Sequence, residues 1–495
     1  MKTKHLLMLL FLAAILQNAS GQIIAKNQAD IGGTANDYLT KLCGSQDGGI
    51  LLAGYSNSNR SKFKKEDSRG SYDYWVVKAS RNEVDGSIKI QWEKTIGGDS
   101  IDNLIKAIPT TDGGYLLCGN SLSGKSGEKT ESRVGGYDYW LVKLDKDGVI
   151  EWDKTIGEIS DDYLADLDQT TDGGYILVGS LGLMKIDDAG NIQWRKTGYY
   201  AVYRSVQHTK DGGYILTGLN ETRTILMTKT DGMGNIEWTK NYGWAGWIWD
   251  YGAIQGNNGG FIFYQRGAYS YSQSGDYYYD FFIHILKSDG LGNQQWTYDP
   301  YPLPDLAGIV KCSLQQTSDQ GFIFETSSSS INPNYYIIKI NNNGQLQWTK
   351  TIGASMSEIC TDLLEITPNH YIVGGYSNSD ISGDKTKTNL GDFDFWIVGL
   401  KDIPGSVNAT NTLAATASVG KVAKEMLVYP NPTKNILHIQ NTGKAKFTLT
   451  NQSGKILLSK TISGNGEINV AHLPAGLYYL KNNETGEVQK VIIAK

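Results

Sequence analysis

Cysteine and proline are scarce in this chain of 495 residues, which contains four cysteines and ten prolines. Cys43, Cys118, Cys312 and Cys360 show no CxxC spacing and are too few for a scaffold built on disulfides, so we expect buried free thiols. Lysine and arginine number 46 against 51 for Asp and Glu, which excludes the basic footprint of a nucleic-acid-binding protein. No apolar run reaches the roughly 18 residues of a membrane-spanning helix, so no transmembrane span is expected.

Sequence motifs of common enzyme classes are also missing. None of the six histidines stands at metal-ligand spacing, and the chain has neither a Gly-x-Ser-x-Gly elbow nor a phosphate-binding glycine-rich loop with lysine. A histidine-based zinc enzyme is therefore not expected, and no catalytic residue is assigned. An extracellular enzyme acting on polysaccharide stays open as an alternative, because the separation of two catalytic carboxylates cannot be read from a sequence.

The N-terminus has the pattern of a secretory signal peptide. Lys2 and Lys4 precede an apolar run from Leu6 to Leu16, and small residues at Ala19–Gly21 follow it. A positive start, a short apolar run and small residues at the cleavage site are typical of such peptides. We therefore predict that residues 1–21 are removed and that the soluble, secreted chain starts at Gln22.

Glycine (58) and tyrosine (30) are abundant, which is the balance of turn-rich β structure. A turn of the form Ser/Thr-x-Asp-x-Gly recurs, in places weakened, at a mean spacing of about 54 residues, close to the ~40–50 residues of a four-stranded propeller blade. The seven turns lie at Asp47, Asp112, Asp172, Asp211, Asn258, Asp319 and Asn369.

Each repeat is predicted to form four strands, A to D, with the Asp-Gly turn between A and B. Seven such units predict an all-β, seven-bladed β-propeller over residues 22–401. A lone strand at Ile23–Gly33 precedes the first A strand, while the last repeat stops after its C strand. We therefore expect the N-terminal strand to complete the last blade, which would close the ring without a free sheet edge.

The two faces of this propeller differ in the length of their connections. Tight turns join A to B and C to D on one face, whereas the B-to-C and D-to-A connections lie on the other, which we call the long-loop face. Its longest insertions are 56–72, 120–137, 265–280 and 377–393. Because binding residues concentrate on variable loops held by a rigid scaffold, a binding site is predicted on the long-loop face.

Aromatic residues cluster in the connections of blades four and five. Rings with polar tips can stack on sugars or anchor a protein partner, so these residues are our candidate ligand contacts, although they could instead pack on one another. The candidates are Trp244, Trp247, Trp249, Tyr251, Tyr269, Tyr271, Tyr277, Tyr278 and Tyr279.

A carboxylate stands at the start of strand A in six of the seven repeats. Such a ring of hard oxygen ligands could hold Ca²⁺. A residue repeated in nearly every blade is better explained as a turn cap that accepts backbone N–H groups, and we favour that role. The residues are Asp37, Asp102, Asp162, Asp250, Asp305 and Glu358.

The C-terminal part of the chain has a different pattern. Residues 402–424 are mostly small and polar and are predicted to be a linker. Beyond them, short alternating apolar runs between Gly and Asn turns predict a small β-sandwich over residues 425–495.

Residues of this module match a known pattern. The segment from Tyr429 through Pro430 and Asn431 to Pro432, the closing run 490–495 and a central Leu-Pro-Ala-Gly-Leu-Tyr segment together resemble the type A C-terminal sorting domain of type IX secretion cargo in Bacteroidota. The central segment consists of Leu473, Pro474, Ala475, Gly476, Leu477 and Tyr478.

The resemblance implies export by the type IX machinery as a partner of the C-terminal domain, followed by removal of that domain and release or attachment at the outer-membrane surface. It implies nothing about the chemistry of the propeller. The signal peptide and this resemblance together lead us to expect a secreted or surface-displayed protein, and the long-loop face leads us to expect that it binds a glycan or a surface partner. A polysaccharide-acting enzyme and a structural or adhesive protein without a small ligand stay as alternatives.

Overall fold

The computed structural model describes residues 22–81, 87–198, 201–242, 247–273, 276–300, 312–328, 332–403, 427–429, 433–440, 444–451, 455–463, 466–484 and 488–494. The chain divides into two compact units, residues 1–408 and 409–495. Every regular element in the described ranges is a β-strand. The predicted signal peptide and most of the predicted linker lie outside the described residues.

The first unit is built from seven antiparallel four-stranded sheets, the blades. Blades one to three consist of β2 (Asp37–Gly44), β3 (Ile50–Ser56), β4 (Asp73–Arg81), β5 (Ile88–Ile96), β6 (Asp102–Pro109), β7 (Tyr115–Ser121), β8 (Asp138–Leu144), β9 (Ile150–Ile156), β10 (Leu164–Gln169), β11 (Tyr175–Gly179), β12 (Gly182–Ile186) and β13 (Ile192–Lys196).

Blades four to seven follow with the same order of strands. They consist of β14 (Ala201–His208), β15 (Tyr214–Asn220), β16 (Ile225–Thr230), β17 (Ile236–Asn241), β18 (Trp247–Gln255), β19 (Phe261–Gln273), β20 (Asp276–Ser288), β21 (Gln294–Tyr298), β22 (Ser313–Gln316), β23 (Phe322–Ser328), β24 (Asn334–Ile340), β25 (Leu346–Ile352), β26 (Glu358–Thr367), β27 (His370–Ser377) and β28 (Asp394–Ile403), with β1 (Gln22–Ile31) as the fourth strand of blade seven.

The N-terminal strand closes the ring. Strand β1 pairs antiparallel with β28, in a register that sets Gln22 opposite Ile403 and Ile31 opposite Phe395. The prediction of a seven-bladed propeller closed by its N-terminal strand is therefore confirmed. Strand β28 runs two residues past the predicted propeller end at residue 401, because Asp402 and Ile403 still have partners in β1.

The core lies between the blades, where strand B and strand C side chains of neighbouring sheets pack together. Strand β4 is buried from Asp73 to Ala79, while the outer strand β5 alternates between half-buried and exposed positions over residues 88–92 and becomes buried only at its last two residues. Aromatic pairs join the blades: the ring centroids of Tyr74 and Trp140 are 4.9 Å apart, and the Tyr74 hydroxyl donates to the Trp140 carbonyl at 3.0 Å. The same pairing joins blades six and seven through Tyr335 and Trp396.

The recurring Asp-Gly turn has one structure in five blades. In blade two, Asp112 accepts the Gly114 N–H at 2.9 Å and pairs with the buried Lys143 ammonium at 2.8 Å, while Gly113 takes a φ of +90°. Glycine tolerates this left-handed conformation without steric cost. The Asp–Lys pairs are Asp47–Lys78, Asp112–Lys143, Asp172–Lys185, Asp211–Lys229 and Asp319–Lys339.

The second unit is a small sandwich of two sheets, one with the order β29-β30-β33 and the other β32-β31-β34-β35. Its apolar core includes Leu437, Phe447, Leu480 and Val491. The strands are β29 (Leu427–Tyr429), β30 (Ile436–Gln440), β31 (Lys444–Asn451), β32 (Ile456–Ser463), β33 (Gly466–Asn469), β34 (Gly476–Asn482) and β35 (Val488–Ile493).

The four cysteines are buried and free, as predicted. Cys43, Cys118 and Cys360 belong to the apolar clusters between the blades, and burial raises the pKa of the Cys43 thiol to about 12. At neutral pH the Cys43 thiol is therefore protonated, and the three buried cysteines pack as small apolar side chains.

Candidate functional site

A cavity of about 540 Å³ opens on the long-loop face of the propeller, where blades seven, one and two meet. Five aromatic rings line it: Tyr38, Tyr55, Tyr72, Tyr376 and Phe393. All five side chains are half-buried, so each presents part of its ring to solvent. We call this set the aromatic pocket.

Tyr38 is at the centre of the aromatic pocket. Its ring centroid lies 5.2 Å from that of Tyr55, 4.9 Å from Tyr376, 5.7 Å from Phe393 and 6.0 Å from Tyr72. The Tyr38 and Tyr376 rings meet edge to face, at 79°. Contacts of this kind hold the rings in fixed orientations. The entropic cost of ordering these side chains when a ligand stacks on them is therefore smaller.

Strand alternation explains why these rings reach the surface. Asp37, the first residue of β2, is fully buried, and side chains alternate along a strand, so the next residue, Tyr38, points the other way. The same relation holds at the start of β4, where the buried Asp73 follows Tyr72. In blade seven, Phe393 precedes the buried Asp394 in the same way.

Polar groups complete the lining of the pocket. Asn103 and Ser357 supply amide and hydroxyl groups beside Ile101 and Ile359. Burial and the neighbouring phenols raise the pKa of Tyr38, whose hydroxyl therefore stays protonated at neutral pH and donates to Asn36 Oδ1 at 3.2 Å. The pocket thus combines flat apolar faces with neutral hydrogen-bonding groups.

The predicted acidic ring lies below this surface and is engaged with backbone. The Gly33 N–H donates to Asp37 at 2.6 Å, and the Gly98 N–H donates to Asp102 at 2.7 Å. Asp162 and Glu358 each accept the N–H four residues earlier in the same way, at 2.5 and 2.8 Å. These carboxylates cap the D-to-A turns, and burial raises the pKa of Asp37 to about 6.

Two members of the ring differ from this pattern. Asp250 lies inside β18 and accepts the Cys312 N–H at 2.7 Å, so it links blade five to blade six. Asp305 lies outside the described residues. Across the ranges that the structure describes, no three His, Cys, Asp or Glu side chains are placed to hold a metal ion.

The aromatic residues predicted on blades four and five do not share one environment. Trp247 is 57% exposed, with the Arg223 guanidinium 6.0 Å from its ring, whereas Tyr251 is 5% exposed and packs in the core. Trp249 is half-buried, 5.5 Å from both the Phe281 ring and the Arg266 guanidinium. Trp244 lies outside the described residues.

The five tyrosines between residues 269 and 279 lie in strands, whereas the sequence predicted that they lie in a loop. β19 and β20 form a hairpin of 13-residue strands, in which Tyr269 is opposite Asp280 and Tyr271 is opposite Tyr278. Alternating Tyr and Ser favours the extended chain, which explains the difference. The side chains of Tyr269, Tyr271, Tyr277, Tyr278 and Tyr279 lie outside the described residues.

Sequence reasoning therefore missed the aromatic pocket. A usable signal was present, because Tyr38 directly follows an acidic-ring residue, and Tyr72 and Phe393 directly precede the Asp that starts a C strand. Asn103 and Ile359, which also line the pocket, follow the ring residues Asp102 and Glu358. Residues next to these repeat positions thus line the aromatic pocket on the long-loop face.

No helix in the described part of the chain is long and apolar enough to cross a membrane.

The C-terminal unit matches a known family. The family model of the secretion system C-terminal sorting domain matches residues 427–494. The match includes the Leu473–Tyr478 segment and the described strands β29 to β35. The chain is therefore a cargo protein of the type IX secretion system and is exported from the cell. No curated protein sequence matches the chain.

Several solved structures are similar to the chain at low identity. The WD40 domain of Neurospora crassa Pan2 is 9% identical, with a TM-score of 0.44 over 77% of this chain and 96% of that one. The WD40 domain of Toxoplasma gondii coronin is 7% identical, with a TM-score of 0.45 over 79% and 88%. PorZ, a surface component of the type IX secretion system of Porphyromonas gingivalis, is 10% identical, with a TM-score of 0.34 over 95% and 86%.

Proposed function

We propose that this exported propeller is a carbohydrate-binding protein whose ligand stacks in the aromatic pocket on the long-loop face. The observation that carries the proposal is the group of five half-buried rings, Tyr38 and the four around it, which leave a cavity of about 540 Å³ open to solvent. Sugar rings have apolar C–H faces that stack on aromatic rings, and their hydroxyls need neutral donors and acceptors. Asn103 and Ser357 supply such groups.

The lining of the pocket favours binding over hydrolysis. Glycoside hydrolysis needs two carboxyl groups about 5–10 Å apart on either side of the scissile bond. The nine residues that line the cavity include no Asp, Glu or His, and the neighbouring Asp37 and Glu358 are buried and bonded to backbone N–H groups. A polysaccharide-acting enzyme is therefore the weaker alternative for this pocket.

A second candidate surface is the exposed Trp247 of blade five. Trp and Arg side chains are enriched among the residues that dominate protein interfaces, and Arg223 lies beside this ring. We propose Trp247 as an anchor for a surface partner, separate from the aromatic pocket. If Trp247 binds a partner on the outer-membrane surface, that contact would hold the exported protein at the surface; without it, the protein would be released.

The test is a glycan-array screen of the secreted chain, run with calcium and again with EDTA. Binding should be lost in Tyr38→Ala and retained in Tyr163→Ala. Tyr163 is a matched control because it follows the ring residue Asp162 just as Tyr38 follows Asp37, is 47% exposed, and contacts Tyr137 at 5.3 Å outside the pocket.

Each outcome bears on the proposal. Loss of binding in Trp247→Ala but not in Tyr38→Ala would move the carbohydrate site to blade five. Loss in EDTA would assign a cation to the site. A folded protein that binds no glycan on the array would contradict the carbohydrate proposal and favour the structural or adhesive alternative.

A further inference from the structure

A second cavity, of about 1070 Å³, lies between the outer strands of blades seven and one. Strand β1 forms one wall and residues 88–94 of β5 form the other. The B-to-C loops of blades one and seven and Asp147, in the C-to-D turn of blade two, contribute the remaining lining. This cavity shares no lining residue with the aromatic pocket. It is therefore a separate site on the propeller.

Five lysines line this cavity, which we call the lysine groove: Lys62, Lys65, Lys89, Lys94 and Lys387. Four are exposed and Lys94 is half-buried. None of the five forms an ion pair within the described ranges of the chain, although ten other lysines of the propeller do. The chain as a whole carries a net charge of −5, so this local excess of cations runs against its overall charge.

The carboxylates that line the same cavity already have partners. Glu66 pairs with Arg69 at 2.8 Å, and Asp147 pairs with Lys146 at 2.5 Å. Glu93 accepts two hydrogen bonds at 2.9 Å, from the Lys65 backbone N–H and from the Trp75 indole. The fourth, Asp30, is ion-paired with a buried lysine. Three of the four carboxylates are thus ion-paired, whereas the donors to Glu93 are neutral and leave its charge in place. Five lysines against one unpaired carboxylate leave an excess of positive charge in the groove, which can attract an anionic ligand.

The floor of the groove is apolar and partly aromatic. Phe63 and Trp92 are half-buried, with Ile88 and Ile90 beside them. The Lys62 ammonium lies 4.9 Å from the Phe63 ring, so the charge stands over the same ring that a ligand would contact. Lysine stems can lie along such a surface while their ammonium groups stay in water.

We propose that the lysine groove binds an anionic polysaccharide. Each unit of such a polymer joins an apolar ring face, which covers Phe63 and Trp92, to a carboxylate or sulfate that meets the lysines. An acidic peptide carries its charges on side chains with little apolar surface and would leave these rings uncovered. Lysine, as a rotatable point charge, suits charges distributed along a chain better than the fixed fork of arginine.

The test measures binding of the secreted chain to three immobilised polymers at 150 mM salt: dextran sulfate, polygalacturonate and uncharged dextran. The variant is Lys62→Gln/Lys65→Gln/Lys89→Gln. We expect at least one of the two anionic polymers to bind, with an affinity that is at least tenfold weaker in the variant and that falls with added salt. Comparison of the two anionic polymers shows whether sulfate or carboxylate is preferred. Uncharged dextran should not bind.

The matched control is Lys125→Gln/Lys210→Gln/Lys350→Gln, which removes the same charge from three other blades. It should bind within about twofold of the unmodified protein. Equal weakening in both triple variants would overturn the proposal, because binding would then depend on the total charge of the protein and not on the lysine groove. Immobilised polyglutamate, measured in the same way, should bind more weakly than the anionic polysaccharides, and equally tight binding would overturn the assigned ligand class. Failure of both anionic polymers to bind would overturn the site.

Two further variants separate this site from the aromatic pocket. Phe63→Ala should weaken binding of the anionic polysaccharide at unchanged protein charge, because it removes part of the groove floor. Tyr38→Ala should leave that binding unchanged. The results for the lysine groove can therefore contradict this proposal without affecting the proposed function of the aromatic pocket. In the same way, loss of the aromatic-pocket proposal would leave the lysine groove untouched.

Discussion

The ammonium of Lys385 lies 2.5 Å from Oδ2 of Asp30, and both side chains are almost completely buried. Asp30 belongs to β1, and Lys385 belongs to the B-to-C loop of blade seven. The pair therefore joins the N-terminal strand to the blade that it completes. Removing one partner of a buried ion pair lowers the stability of the fold far more than removing one partner of an exposed pair. Substitution of either residue therefore tests how much this pair contributes to closure of the ring.

We expect Lys385→Met to lower the free energy of unfolding of the propeller by about 3–5 kcal/mol, because it leaves Asp30 as an uncompensated buried charge. Chemical denaturation followed by tryptophan fluorescence measures the change. Lys146→Met is the control, since Lys146 and Asp147 form an exposed pair at the same 2.5 Å distance. It should change stability by less than about 1 kcal/mol. Equal losses in the two variants would show that the closure pair adds nothing beyond a surface contact.

Glu325 predicts a dependence of stability on pH. This residue of β23 is fully buried, and burial, opposed by the nearby Cys360 thiol, raises the pKa of its carboxyl to about 8. Between about pH 5 and 8 the folded protein keeps a proton that the unfolded chain has released, so stability falls as the pH rises. One such group contributes a slope of about 1.4 kcal/mol per pH unit.

Glu325→Gln should remove that contribution. The difference in free energy of unfolding, variant minus unmodified protein, should increase from pH 5 to pH 8. Above pH 8 this difference should stay constant. Denaturant titrations at pH 5, 6.5, 8 and 9 measure the difference. Two parallel pH profiles would mean that Glu325 ionises in the folded protein as it does in the unfolded chain.

Asp47 predicts the opposite dependence. Hydrogen bonds from Lys78 lower the pKa of the Asp47 carboxyl to about 2, and the Gly49 N–H donates to it at 2.9 Å. A lowered pKa stabilises the folded state above the unfolded value near 4, and this stabilisation is lost as the pH falls toward 2.

Asp47→Asn should therefore lower the melting temperature at pH 7, because the buried Lys78 loses its counter-charge, and the difference should shrink below pH 4. Asp188→Asn, at an exposed turn position, controls for the loss of one carboxylate. Melting curves at pH 7, 5 and 3 test the prediction. A difference between Asp47→Asn and the unmodified protein that is the same at all three pH values would contradict it.

Gly97 has no room for a side chain. A Cβ atom there would lie 2.0 Å from Oδ1 of Asp73, and one at Gly157 would lie 1.9 Å from Oδ1 of Asp138. We expect Gly97→Ala to destabilise the propeller by about 1–3 kcal/mol, as overpacking does elsewhere. Gly124→Ala, where the nearest atoms are 3.9 Å away, should change stability little. Unfolding by denaturant compares the two, and equal effects would show that the Asp73 side chain can move aside.

The repeat could be recognised from the sequence because its markers are local. Asp112 and its glycines lie within a few residues of one another, so the turn is visible without knowledge of the fold. The aromatic pocket depends on contacts that are distant in the sequence. Tyr38 meets Tyr376 only because β1 closes the ring and brings blade seven beside blade one.

The sequence also could not separate exposed rings from buried ones on blade five. Trp247 and Tyr251 stand four positions apart in β18, where regular alternation would place both on the same side. A register shift between Ile248 and Asp250 interrupts the pairing with β19. Tyr251 is buried in the core, while Trp247 remains exposed. A bulge of this kind depends on the partner strand and has no reliable mark in a single sequence.

The closure by β1 also determines how the propeller bears mechanical force. The segment that leads to the C-terminal unit leaves from β28, which is an interior strand held by β27 on one edge and by β1 on the other. A pull on that segment therefore acts on two hydrogen-bonded ladders at once, whereas a pull on an outer strand would peel a single ladder. The chain therefore continues toward its sorting domain from one of the two interior strands of the last blade, which are harder to extract than its two edge strands.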